Sequence, residues 1–403
     1  MPGYGLGPYG SGPYGGGVVT PPTPPLPPTI DLSASAIVGQ SQYQVRLYNT
    51  AGSLVAVFDD WNSLYYYVRL DDIGYHTFSI YGTDARRDLF GLDCMIEVWR
   101  RNVSAGLAWY LDYAAFHRTT QKQISDRGVS LFTSYGRSFE DLLHRRSIEY
   151  PSGTSHDTKS GPADDVMKAY VNENAGPLAT TGNGRLSDGV TFGLSVAANA
   201  SLAPTFQASF ALRNLLDVIQ EISTAALVDF AVTHAPGTTS FTFNTYYPRK
   251  GADRTGTAPF VFSIEHANMS QPYATESHVD EFNSSLVMGQ GEGSDRQFVV
   301  RDDANAQAAS PWNRIEKAHD ARQESDTDAL ESVGDQQLRE GRATSRISFN
   351  VIESPVSIYG RDFQVGDLVL ARFDGVEQIK KIIGVEITVS DGRETLRIHF
   401  NDE

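Results

Sequence analysis

Tyr43-Gln-Val-Arg-Leu-Tyr48 decides how this chain is read. Tyr43, Val45 and Leu47 alternate with Gln44 and Arg46, the two-residue period of a strand with one face buried and the other turned outward. The period recurs in Thr77-Phe-Ser-Ile-Tyr81, Met95-Ile-Glu-Val-Trp99 and Trp109-Tyr-Leu-Asp-Tyr113. Short polar or Gly-containing links join several of these runs, as in an antiparallel barrel or sandwich, so β structure is expected from Ile30 to about Tyr135. Cys94, beside the Met95 run, is expected to pack as a small apolar residue.

The end of the chain reads the same way. Ile347-Ser-Phe-Asn-Val-Ile352, Leu368-Val-Leu-Ala-Arg-Phe373, Ile382-Ile-Gly-Val-Glu-Ile-Thr-Val389 and Leu396-Arg-Ile-His-Phe400 suit a compact second barrel. Between the two β regions the period changes. Ser138-Phe-Glu-Asp141 before Leu142 and Leu143 resembles a capping-box helix start. Pro162, Asp164, Asp165, Gly176 and Pro177 frame a second helix. A third places Leu212, Leu215, Leu216, Ile219, Ile222 and Ala226 on one face, with Arg213, Asp217, Gln220 and Glu221 mainly on the other. Strands return at Phe241–Phe243, Phe260–Ile264 and Phe298–Val300. The acidic stretch 302–341 then carries one narrow helical stripe, Leu330, Val333 and Leu338, expected as a solvated helix or one facing a partner.

Residues 1–29 differ from the rest. GPYG occurs at Gly7–Gly10 and Gly12–Gly15, and PPTPPLPP begins at Pro21. The glycine part buries no core and the proline part favours an extended spacer, so an arm or linker is expected.

Composition narrows the function classes. Of 403 residues 40% are hydrophobic and 20% charged, which suits a core-forming globular chain of two or three domains. A single cysteine permits no intrachain disulfide, so the fold rests on its core, as in a reducing cytoplasm. No run reaches the roughly 18 apolar residues that span a bilayer. The N-terminus lacks the basic and apolar blocks of a signal peptide, and the four Asn-x-Ser sequences at Asn102, Asn199, Asn268 and Asn283 read as chance matches. A net charge of −16 opposes tight phosphate binding.

No Walker loop, HExxH, CxxC or GxSxG is present. Gly289-Gln-Gly-Glu-Gly293 has no Lys after it and reads as a strained turn or bulge rather than a phosphate cradle. Glu276, His278, Asp280 and Glu281 place four metal-ligand types within six residues, but acidic surface loops often have this composition, so no metal site is assigned. His117, His144, His234 and His266 are scattered and read as hydrogen-bonding histidines. Tyr65, Tyr66 and Tyr67 could stack on a sugar or a partner, although core or interface packing is the stronger reading. No catalytic, cofactor-binding or metal-binding residues are assigned, and no cofactor is expected.

The chain resembles the tail-tip or baseplate hub proteins of siphophages. The resemblance is carried in order by Gly74-Tyr-His-Thr-Phe-Ser-Ile80, Asp93-Cys-Met-Ile-Glu-Val-Trp-Arg100, Gly136-Arg-Ser-Phe-Glu-Asp-Leu-Leu143, Arg146-Ser-Ile-Glu-Tyr-Pro-Ser-Gly153 and Ala211-Leu-Arg-Asn-Leu-Leu-Asp-Val218. Met288-Gly-Gln-Gly-Glu-Gly-Ser-Asp-Arg296 and Ile358-Tyr-Gly-Arg-Asp-Phe-Gln-Val-Gly-Asp-Leu-Val369 complete it, over about residues 30–403.

The resemblance implies a mainly β, α+β fold: two antiparallel β-barrel hub domains with an intervening helical or mixed region. The implied division is an arm at 1–29, a first barrel at 30–135 and a helical, mixed channel-plug region at 136–235. A mixed β segment with the acidic helix follows at 236–341, and a second barrel at 342–403, completed by strands from 180–300. Three chains would form a homotrimeric ring that adapts a sixfold tail tube to a threefold tip and closes the DNA channel until host attachment. Partners implied are the distal tail protein, the tail tube and tape-measure proteins, and tip fibre or spike proteins, with DNA passing through the lumen without specific binding. The location implied is the virion tail tip, assembled in the host cytoplasm.

Two features depart from the family pattern: the arm, and the ending at Glu403, where larger relatives carry a hydrolase or receptor-binding extension. No enzyme activity is expected. The alternatives are a tail-associated cell-wall or polysaccharide hydrolase, which needs two carboxylates facing one cleft, and a glycan-binding adhesin using the Tyr-rich strands.

Overall fold

The computed structural model describes residues 36–38, 41–124, 128–189, 194–322, 327–352 and 357–402. The expected arm at 1–29 lies outside the described residues. The first β region contains β1 (Ala36–Val38), β2 (Ser41–Tyr48), β3 (Leu54–Phe58), β4 (Ser63–Arg69), β5 (Tyr75–Tyr81), β6 (Met95–Asn102), β7 (Leu107–Ile124) and β8 (Ser130–Ser138). The middle follows as α1 (Asp141–His144), β9 (Asp157–Pro162), α2 (Ala163–Asn174), β10 (Leu194–Val196), β11 (Thr205–Phe210), α3 (Leu215–Ala226), β12 (Asp229–His234) and β13 (Phe241–Tyr246). Next come β14 (Val261–Phe262), β15 (Met269–Ser277), β16 (Ser284–Met288), β17 (Phe298–Asp302), α4 (Ala304–Gln307), β18 (Glu316–Asp320) and α5 (Thr327–Glu340). The chain closes with β19 (Thr344–Val351), β20 (Leu368–Phe373), β21 (Val376–Ser390) and β22 (Arg393–Asp402). Every strand quoted from the sequence forms, although Phe260–Ile264 contributes only two ladder residues.

Fourteen strands join in one sheet, whose main path runs β1-β2-β6-β7-β8-β5-β4-β21-β22-β19-β15. The joint is β4 against β21, antiparallel from Arg69 opposite Gly384 to Ser63 opposite Ser390. Two separate closed barrels were expected; among the described residues no sheet closes, and the two β regions share one sheet. The reason lies in the inward side chains. Leu64 and Tyr66 of β4 enter the same buried cluster as Val385, Ile387 and Val389 of β21 and Phe78 of β5. The β4 backbone, with one edge on β5, satisfies its other edge on β21 rather than leaving it bare.

A second layer packs against one end of this sheet. Its core combines Val166, Met167, Tyr170 and Val171 of α2 with Leu215, Leu216, Val218, Ile219 and Ile222 of α3, and with Phe230, Phe241 and Phe243. Met95 and Phe116 enter it from the sheet, and Ile73 from the link between β4 and β5. Burying each aliphatic side chain of the α3 face contributes about 1.5–3 kcal/mol before entropy is counted.

Two helix expectations need correction. Leu212 is exposed, with φ +54°, because α3 starts only at Leu215, where Asn214 Oδ1 accepts from Leu216 N at 3.0 Å. Ser138 ends β8 instead of capping a helix: its hydroxyl accepts from Gly74 N at 2.8 Å and donates to Glu140, so α1 is a single turn beginning at Asp141.

A third unit interrupts β15 and β19, which pair from Met269 opposite Val351 to Ser277 opposite Thr344. Between them β17-β16-β18 form a three-stranded sheet that carries α5. The acidic stretch was read as helical, and α5 confirms part of it, with Leu330 buried. Residues 316–320 are instead the strand β18, parallel to β16.

Candidate functional site

Cross-strand pairing lays out the outward face of the joined sheet row by row, because directly opposed residues share a face. The first row is Arg397, Glu386, Tyr67, Tyr75 and Arg137. The second is Thr395, Thr388, Tyr65, Thr77 and Tyr135, and the third is Arg393, Ser390, Ser63, Ser79 and Thr133, whose last two members are buried against each other. Both halves of the chain therefore build one face of tyrosines, hydroxyls and arginines, opposite the main buried cluster. Tyr66 alone of the tyrosine triplet turns inward, where its Oη donates to Asp112 at 2.6 Å; Tyr65 and Tyr67 turn outward, as the strand period requires.

Packing fixes these tyrosines. Tyr67 lies over Gly384, where a Cβ would come within 2.6 Å of its ring, and its ring centroid is 5.2 Å from that of His399. His399 Nε2 meets Glu386 at 2.9 Å, so the acid of the first row is already paired. Tyr135 Oη donates to Gln121 at 2.6 Å. The phenol of Tyr65 is pushed up to about 12, by burial first and then by Glu386. It stays a neutral hydroxyl throughout the physiological range.

Three buried polar nodes hold this face to the rest of the molecule. Arg100 of β6, with no exposed surface, donates to Tyr43 Oη (3.0 Å), Ser41 Oγ (3.0 Å), Tyr110 Oη (3.1 Å), the Tyr359 carbonyl (3.1 Å) and Glu394 (2.6 Å). Glu97 accepts from Trp99 Nε1 (2.7 Å) and Gly237 N (2.9 Å) and bonds His234 Nε2 (2.9 Å), joining β6 to the second layer. Burial alone would raise the Glu97 carboxyl; the bonds from His234, Gly237 and Trp99 outweigh it and hold the group below its ordinary value.

The third node brings two carboxylates together, which no spacing in the sequence signals, since 158 positions separate Asp71 from Asp229. Asp71 is pushed up to about 8, by burial first and then by Asp229. Asp71 Oδ1 accepts from Phe230 N at 2.6 Å, while Asp229 accepts from Lys381 Nζ at 2.6 Å and Lys250 N at 2.8 Å. Asp229 is only 3% exposed, so the pair faces its protein partners rather than an open cleft. It joins the β4 end, β12 and β21.

Three of the four candidate metal-ligand residues, Glu276, His278 and Glu281, lie together as an ion-paired cluster. β15 ends at Ser277, so Glu276 is on a strand while His278, Asp280 and Glu281 are in the turn. His278 Nδ1 bonds Glu281 and its Nε2 lies 3.4 Å from Glu276. Among the described residues no three His, Cys, Asp or Glu side chains are placed to hold a metal ion. Gly289–Gly293 lies in the β16–β17 turn, where Gly291 (φ +108°) and Gly293 (φ +57°) take backbone shapes that favour glycine.

Three of the four histidines are hydrogen-bonded. His117 bonds Ser134 and Thr120, His234 bonds Glu97, and His266 bonds Ser263. His144 stays half-exposed, 3.9 Å from Asp141. Cys94 is a free, buried thiol in the main core.

The family model described as Siphovirus ReqiPepy6 Gp37-like protein matches residues 44–400. Among solved structures, the chain is similar to the 43 kDa tail protein of prophage MuSo2 from Shewanella oneidensis, with a TM-score of 0.60 and 10% identity over 89% of this chain and 98% of that one. It is similar also to the tail protein from Neisseria meningitidis MC58, with a TM-score of 0.57 and 13% identity over 90% and 97%. The prophage tail protein gp18 from Listeria monocytogenes EGD-e gives 0.53 and 7% over 89% and 95%. At these identities the likeness is one of fold. No curated protein sequence matches the chain.

Proposed function

The chain belongs to the Siphovirus ReqiPepy6 Gp37-like family, and from that premise we propose that it is the structural hub of a phage tail tip, working as a homotrimer. The observation that carries this reading is the β4–β21 joint, which sets the N-terminal and C-terminal β modules of one chain side by side in a single sheet. Three copies would then bring six modules around one axis, the number a sixfold tail tube presents to a threefold tip. Closed cyclic association also covers the sheet ends at β1 and β15, which have one partner each among the described residues. In this reading the second layer, held to the sheet by Glu97–His234 and Asp71–Asp229–Lys381, lies across the channel and moves aside on host contact. The distal tail protein, the tail tube and tape-measure proteins, and tip fibres or spike would be its neighbours, and DNA would pass without specific binding. The virion tail tip, assembled in the host cytoplasm, is its proposed location.

The test is mass. Light scattering on the purified full chain should give about three times 44.1 kDa at high protein concentration. A single-subunit mass at every concentration, including in crowded solution, overturns the reading. Peptidoglycan dye release equal to buffer is expected in parallel, and release that the full chain catalyses would favour the hydrolase alternative.

A further inference from the structure

Two exposed surfaces of opposite character lie on this chain, and we propose that they bind each other between copies. The inference rests on the trimer reading above and names the faces that meet.

The first surface is the free face of the β16–β17–β18 sheet. α5 covers the other face closely: a Cβ at Gly334 would lie 2.5 Å from Arg301 and 3.2 Å from Val287. Strand alternation therefore turns Leu286, Met288, Phe298, Val300 and Ala318 away from α5. Register confirms that they adjoin, with Leu286 opposite both Val300 and Ala318, and Met288 opposite Phe298. Phe298 is 68% and Val300 40% exposed. A contiguous apolar face on a small unit is the pattern of a docking surface rather than of scattered exposed residues.

The charge around it selects the occupant. Residues 280–341 hold 14 acidic and 6 basic side chains, half of the chain's net charge of −16. Two such units meeting face to face would set like charge on like. The complement is the tyrosine face of the main sheet, where Arg393 and Arg397 are exposed beside Tyr65 and Tyr67, and where Glu386 is occupied by His399. Arg296, Arg314 and Arg322 pair with Asp320, Asp302 and Glu316 at the rim of the apolar face, so the excess of acid over base in the unit, with Glu292 and Asp295 in the exposed turn beside Phe298, is the charge that aromatic rings with arginines would meet. The two surfaces are different and complementary, so copies join head to tail, and such a contact closes into a ring when its rotation allows.

The experiment measures the trimer–monomer midpoint concentration of the full chain by sedimentation, with circular dichroism confirming the fold of each variant. Arg393→Glu with Arg397→Glu should raise the midpoint at least about tenfold, and Phe298→Ser should act in the same direction. Glu292→Lys with Asp295→Lys, in the exposed turn beside Phe298, should also weaken association alone and restore it when combined with the two arginine reversals. If the wild type is trimeric and none of these variants moves the midpoint, the pairing of these faces is wrong and the trimer stands on other contacts. If the arginine reversals weaken the trimer but the Lys pair does not rescue it, the acidic unit is not the occupant and the proposal also fails. A wild type that stays monomeric overturns the trimer reading and this inference together.

Discussion

Arg100 of β6 and Glu394 of β22 meet at 2.6 Å across 294 positions of sequence, the guanidinium fully buried and the carboxylate 9% exposed. The contact ties the N-terminal β region to the last strand. The guanidinium also reaches the Tyr359 carbonyl between β19 and β20, so one side chain holds three separated segments. Two charges buried with this many partners bring little net gain over an apolar pair, but breaking one partner away is costly.

Arg100→Met should therefore cost about 3–5 kcal/mol in urea unfolding, because it leaves the Glu394 carboxylate buried without its counter-charge and removes a donor from Tyr43, Ser41 and Tyr110. Glu394→Gln keeps an acceptor and should cost about 1–2 kcal/mol. Equal, small effects from both changes would show that the node does not fasten the two halves.

Asp71 gives the fold an alkaline weakness. Its ordinary value is 3.8 and its folded value about 8, so the folded chain binds the proton more tightly. Its contribution is fully present below about pH 4 and is lost as pH rises towards 8. Lys381 on β21 and Asp229 on β12 are the charged groups facing it. Asp71→Asn keeps an oxygen for Phe230 N and should flatten the fall in melting temperature between pH 5 and pH 8. A variant whose pH profile runs parallel to the wild type would refute this assignment.

Glu97 acts in the opposite direction. Its folded value lies below the ordinary 4.5, so its stabilisation is present above about pH 4.5 and is lost as pH falls through the lowered value. His234→Phe leaves the carboxylate buried without its ring partner and should cost about 3 kcal/mol at pH 7. Acid unfolding followed by tryptophan fluorescence should begin at higher pH in that variant. An unchanged acid midpoint would count against the latch.

Gly136 is a position where size alone decides. A Cβ there would sit 1.8 Å from the Phe116 carbonyl oxygen and 2.4 Å from His76, beside the bulge where β7 shifts register between His117 and Thr119. Gly136→Ala should cost about 2–4 kcal/mol or abolish soluble expression. Wild-type melting of that variant would mean the β5–β8–β7 ladder relaxes more freely than its packing implies.

Much of the fold was legible in local pattern. The period of Tyr43–Tyr48 fixes which side chains enter the core, and Tyr65–Tyr67 sort to two faces for the same reason. Pro162, Asp164 and Gly176 bound α2 because end signals act within a few residues. Leu212 misled: its spacing matched the α3 stripe, but the Asn214 cap started the helix after it. β18 was missed because five mostly polar residues, four of them exposed, become a strand only through parallel pairing with β16.

The sequence by itself determined the strand faces, the main helices and the family, since those depend on short-range periodicity and ordered motifs. Only the tertiary structure decided that β4 pairs with β21, that Arg100 finds Glu394, and that Asp71 shares a site with Asp229. Each joins segments more than 150 positions apart, and the choice depends on which edges and charges remain unsatisfied once the local elements have formed. Pattern within a strand says that an edge exists; it carries no record of which distant strand will cover it.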